Sequence, residues 1–119
     1  MPAKGCIPIE QYFKAIDHAV TFLGKGQVSS WLIAGLEPVG STIKSAEKIA
    51  SKGAVPFITV FRPLIGSEFE NLSPPDPDLI APVFSSLGRI LSEMKLEPAK
   101  SKCGCVKCNC CSAFTENCC

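Results

Sequence analysis

Val28-Ser29-Ser30-Trp31-Leu32-Ile33-Ala34-Gly35-Leu36, closed by Glu37-Pro38, decides how this chain folds. The run is short, mostly apolar and bounded by turn residues, the pattern of a strand covered on both faces. A second run of the same kind, Val55-Pro56-Phe57-Ile58-Thr59-Val60-Phe61, ends at Arg62-Pro63. Pro56 suits its beginning better than its centre, because proline cannot donate to a ladder. Between the two, Ser41 to Ser51 carries Ile43, Ala46, Ile49 and Ala50 on one helical face, with Ser41 or Thr42 as cap and Gly53 as stop. Strand, short helix, strand is a βαβ unit, so the strands should run parallel through a right-handed crossover.

Working outward, Ile9 to Leu23 has Ile9, Tyr12, Phe13, Ile16, Val20 and Leu23 along a helical stripe, with Pro8 in the first turn and Gly24 at the end. His18 falls off that stripe and reads as a solvated histidine. Gly24-Lys25-Gly26-Gln27 leads into a strand rather than opening a helix, so it is a turn and not a phosphate loop. Gly66 to Pro77 contains Pro74-Pro75-Asp76-Pro77 and reads as a loop. Asp78 to Met94 is the longest helix, with Ile80, Val83, Phe84, Leu87, Ile90, Leu91 and Met94 spaced for one buried side. Pro98 ends the ordered pattern, and a Lys-Ser-Lys linker leads to the cysteines. Two parallel strands cannot close a sheet by themselves, since their edges and faces need neighbours. The expected fold class is therefore α/β, the C-terminal half of a (β/α) barrel over residues 1–98, followed by a Cys-rich tail over 99–119. A complete barrel takes about 250 residues.

At 119 residues the chain has room for one domain at most. A net charge of +1, with acids and bases interspersed, gives no footprint for nucleic acid or an anionic membrane. No apolar run approaches the ~18 residues of a spanning helix. Met1-Pro2-Ala3-Lys4-Gly5-Cys6 leads into a charged amphipathic segment rather than a signal-peptide core, so a cytoplasmic location is expected. In a reducing compartment a dense thiol cluster favours metal over disulfides.

Seven of the eight cysteines fall in 103–119. Cys105, Cys108 and Cys111 have the C-x2-C-x2-C spacing of bacterial iron–sulfur runs, with Cys118 or Cys119 as a fourth ligand and Cys103 as a nearer substitute. Four thiolates could equally hold zinc, and a redox-labile tail that merely scavenges metal is the blander reading. Adjacent Cys110 and Cys111 cannot both point easily at one site, which leaves one as a spare. In parallel α/β folds ligands sit at the carboxyl ends of the strands. Those ends carry Gly35-Leu36-Glu37-Pro38 and Phe61-Arg62-Pro63, so Glu37 could take an ammonium and Arg62 a carboxylate of one zwitterion. The blander alternatives are that Glu37 pairs with Arg62, or caps the following helix.

The run Ser29 to Pro38, the helix after it, and Val55-Pro56-Phe57-Ile58-Thr59-Val60-Phe61-Arg62-Pro63-Leu64 resemble the later strands of radical S-adenosylmethionine enzymes, closest to the biotin-synthase-like branch. Pro2-Ala3-Lys4-Gly5 is similar to the loop that opens the helix before the fifth barrel strand, and the likeness extends over most of 2–95. The resemblance implies a TIM-like barrel in which Gly35, Glu37 and Arg62 contact S-adenosylmethionine. It further implies a tail whose Cys103, Cys105, Cys108, Cys111 and Cys118 hold an auxiliary, four-iron type cluster. The family's C-x3-C-x2-C loop lies outside this chain, and no two cysteines of the tail are spaced to supply it. Aligning the family's G-x-I-x-G-x-x-E pattern on Glu37 places Ser30 and Ala34 at its glycine positions. The implication is a C-terminal fragment or subunit with no catalytic residue of its own, inactive alone. It would be partnered by the missing N-terminal half or a second subunit and would act on a small-molecule substrate. The alternative is a small zinc- or iron–sulfur-binding module acting as an interaction protein.

Overall fold

The computed structural model describes residues 5–112. Helix α1 spans Ile9–Leu23, strand β1 Ser29–Ala34, helix α2 Val39–Ser51, strand β2 Val55–Val60 and helix α3 Pro77–Glu93. A 3-10 turn at Pro98–Lys100 then leads into a one-turn helix α4, Gly104–Cys108. β1 and β2 pair in parallel from Ser29↔Val55 to Ala34↔Val60. Among the described residues the sheet has these two strands and no more. Each expected element is present within a residue or two, and the expected βαβ unit is the centre of the fold.

Helices α2 and α3 pack against each other and against one face of the sheet. Side chains alternate across a strand, so Leu32, Ala34 and Ile58 point to that face. There they join Ala46, Ala50, Val83, Phe84, Leu87 and Ile90 in a single core. Phe84 and Ile58 are wholly buried, and six of the seven apolar positions expected on α3 are buried. Met94 packs against the core's edge. Asp76 caps α3, its carboxylate accepting from the Asp78 amide at 2.9 Å. At α2 the cap differs from expectation: the helix begins at Val39 behind Pro38, without a side-chain cap bond. Ser41 and Thr42 lie inside the first turns. Pro38 ends the extended run early and its fixed φ starts the helix two residues before the serine.

The other sheet face is open along β1, while Val55 and Phe57 of β2 on that face are buried. Trp31 and Ile33 are about half exposed, at 52% and 50%, where the apolar run led one to expect cover on both faces. Trp31 packs against Phe57, with ring centroids 4.7 Å apart. The β1 edge is open as well. Val55 donates to the Val28 carbonyl and Phe61 to that of Ala34. In an alternating parallel ladder the even-numbered residues of β1 therefore face β2, and Ser29, Trp31 and Ile33 turn their N–H and C=O groups outward. α1 has no buried residue despite its apolar stripe. It is tethered by the Lys52–Asp17 pair at 2.6 Å and by Lys48 over the Phe13 ring at 4.1 Å. His18 is exposed, as expected, and lies against Phe22.

Beyond Pro98 the chain is docked rather than a free linker. Ser101 and Val106 are 3% and 2% exposed. Gln27 clasps the segment: its amide nitrogen donates to the Lys100 carbonyl at 3.3 Å, and its oxygen accepts from the Lys102 amide at 2.8 Å. Val106 fills the space beside Val55, Leu87 and Leu91, leaving a gap of only about 10 Å³. The reason is apolar: Leu96 and Val106 complete a core that α3 alone does not close.

Candidate functional site

The tail climbs alongside β2, from Gln27 at the amino end of the sheet to Arg62 at its carboxyl end. Cys103 lies at the bottom, half-buried, its thiol donating to the Gln27 carbonyl at 3.0 Å. Cys105 and Cys108 sit exposed on α4. Asn109 then takes a left-handed φ of 54° and returns its amide to the Cys105 carbonyl. That turn carries Cys110 and Cys111 up to a groove of about 430 Å³ lined by Trp31, Thr59, Val60, Arg62 and Ser112. A hydrogen bond from the Cys110 side chain holds the Cys108 thiol below its ordinary range, and the same contact holds Cys110 above it. Sequence spacing had left one of Cys110 and Cys111 as a spare; the fold puts both beside Arg62.

Arg62 lies between that groove and a larger, mostly apolar one of about 550 Å³ that Ile33, Leu36, Leu64 and Phe69 line. Its guanidinium is exposed and makes no ion pair or hydrogen bond with the described residues. Glu37 stands elsewhere. Its carboxylate accepts from the Ser41 hydroxyl at 2.6 Å, across the first turn of α2. The grooves that Glu37 lines, one with Leu32 and Ser45 and one with Thr42 and Pro75, share no lining residue with those of Arg62. The structure does not bring the two into one clamp. Gly35 is explained by packing: its φ is 107°, and a Cβ there would lie 2.6 Å from Pro75 Cγ.

Among the described residues no three His, Cys, Asp or Glu side chains converge as a metal site. Cys105, Cys108 and Cys111 therefore do not form a ready thiolate set for a cluster or zinc, and Cys118 lies outside the described residues. Helical spacing carries Cys105 and Cys108 along α4, but the reversal at Asn109 turns Cys111 toward Arg62 instead. Gln27 and Trp31 also take part in this arrangement. Trp31 was detectable from its alternation with Leu32 and from sharing a face with Thr59; the Gln27 clasp, a contact between residues 27 and 102, has no local signature.

No family model and no solved structure matches the chain. It is 31% identical over 72 residues to the bacteriochlorophyllide c C-7(1)-hydroxylase of Chlorobaculum limnaeum. The matched segment is 60% of this chain and 18% of that protein. No helix among the described residues is long and apolar enough to cross a membrane.

Proposed function

We propose that the chain is the C-terminal barrel portion of a radical S-adenosylmethionine enzyme and supplies the last part of a ligand-binding lumen. The observation that carries the reading is the match to the hydroxylase, an enzyme of that class. Support comes from the parallel pair with its open β1 edge and its open, aromatic-bearing face, which suit a sheet that continues. In a barrel the face away from the helices is the interior, and ligands sit at the carboxyl ends of the strands.

When bound, the cofactor would supply a carbon radical that takes a hydrogen from substrate. This chain's residues bind and orient. Glu37, fixed by Ser41, presents a carboxylate at the end of β1 to an ammonium or hydroxyl. Arg62 presents a guanidinium to a carboxylate. Trp31, Ile33 and Leu36 wall off water. The described thiols do not converge on a cluster site.

The test is a chimera in which the matching 72 residues of the Chlorobaculum hydroxylase are replaced by those of this chain. Reconstituted anaerobically and reduced, it should form 5′-deoxyadenosine from S-adenosylmethionine, whereas the isolated chain should form none. A monodisperse chimera that binds iron yet leaves the cofactor intact, or cleavage by the chain alone, would sink the proposal.

A further inference from the structure

We propose that the open face of the sheet holds a binding site for a flat, apolar carboxylate, with Arg62 as its anchor. Arg62 is a cation with no partner among the described residues, standing on the divide between two grooves. A guanidinium left so is matched bidentately by a carboxylate. What surrounds it is not the usual company of a solvated arginine. On one side is the half-exposed indole of Trp31, and on the other are Ile33, Leu36 and Phe69, each more than two-fifths exposed. Four such apolar side chains around one free cation ask for a ligand with a broad hydrophobic body and a single negative end. Each groove, at about 430 and about 550 Å³, is within the size range of small-molecule sites. Thr59, paired with Ile33 on the same face, lines both grooves and makes the floor continuous. The Ser112 hydroxyl oxygen, buried and without a partner among the described residues, adds a polar group at the rim.

The pocket itself does not depend on the radical-enzyme reading; calling its ligand a substrate does. A carboxylate could also arrive on the amino-acid end of S-adenosylmethionine, and the two sources differ in shape. The cofactor carries an ammonium beside its carboxylate and would need a carboxylate from the protein close by. Glu37 lines other grooves, whereas Glu68 lines the larger groove together with Arg62. Competition by S-adenosylmethionine therefore separates the two sources.

Trp31 is the chain's single tryptophan, so the site carries its own reporter. Anthracene-9-carboxylate absorbs where tryptophan emits, and its neutral carboxamide is the matched control. The acid should quench Trp31 saturably and bind at least tenfold more tightly than the amide. Arg62→Ala should abolish that preference while weakly retaining amide binding, and Arg62→Lys should keep part of it. Trp31→Phe, read through the probe's own emission, should weaken acid and amide alike by severalfold. Because Arg62 and Trp31 are exposed, urea midpoints of the variants should match wild type. Equal affinity for acid and amide, or a preference that survives Arg62→Ala, would overturn the site. Excess S-adenosylmethionine should leave the anthracene acid bound. Its displacement would return Arg62 to the cofactor, overturning the substrate assignment while leaving the radical-enzyme reading intact.

Discussion

Val106→Ala removes two methyl groups from a side chain that is 2% exposed and surrounded by Val55, Leu87, Leu91 and Pro98. Each buried carbon is worth about 0.8 kcal/mol of transfer free energy, so the loss begins near 1.6 kcal/mol. The site has little freedom to collapse, because β2 is held by its ladder and α3 by the rest of the core. A cavity contribution then raises the total to about 2 kcal/mol. Urea unfolding of the reduced chain, followed by far-ultraviolet circular dichroism, should show a midpoint lowered by roughly 1 M at unchanged slope. Cys105→Ser, one residue away but exposed, should move the midpoint by less than about 0.5 kcal/mol equivalent. The contrast matters because a cysteine tail that hung free in solvent would be indifferent to Val106. If Val106→Ala and Cys105→Ser unfold at the same urea concentration as wild type, the docked tail described above is wrong.

Three further outcomes follow from single residues. Gly35→Ala places a Cβ 2.6 Å from Pro75 Cγ at a φ of 107°, and should destabilise the fold by about 2 kcal/mol or more in the same assay. Asp76→Ala removes the cap bond to the Asp78 amide and should cost about 1 kcal/mol, with Asp76→Asn retaining most of it. Because the Cys110 side chain holds the Cys108 thiol low, Cys108 should reach its full iodoacetamide alkylation rate at a lower pH than an ordinary exposed thiol. Cys110→Ala should return that profile upward, as read by peptide mass spectrometry on the metal-free chain. A Cys108 profile unmoved by Cys110→Ala would contradict the contact.

Much of the fold could be read in the chain because its signals are local. The apolar stripe of α3 and the two strand runs each specify an element within their own span. The Asp76-Pro77 start of α3 is equally local, since one residue supplies the cap and the next fits the first turn. What misled was the assumption that an apolar strand is a covered strand. Trp31 and Ile33 are as hydrophobic as Leu32 and Ala34, yet only the second pair has helices over it. Sequence pattern registers what a face requires, not whether this chain meets the requirement. The tail shows the opposite error. Lys100-Ser101-Lys102 looks like linker by composition, but Gln27 and the apolar Val106 bind it through contacts that close only in three dimensions. At the candidate site, Glu37 and Arg62 both stand at strand ends, yet they line different grooves. Which groove each faces depends on the hydrogen bond to Ser41 and the turn after β2. The thiols were visible by count, while their divergence rests on one left-handed residue, Asn109.

Hydrogen exchange at β1 addresses most directly whether this sheet is a piece of a wider one. Leu32 and Ala34 donate toward β2 in the observed register and should exchange slowly, whereas Trp31 and Ile33 donate outward and should lose their protons within seconds in a monomeric sample. Equal, strong protection of all four amides in a verified monomer would mean that the chain completes its own sheet, and the barrel-fragment account would fail.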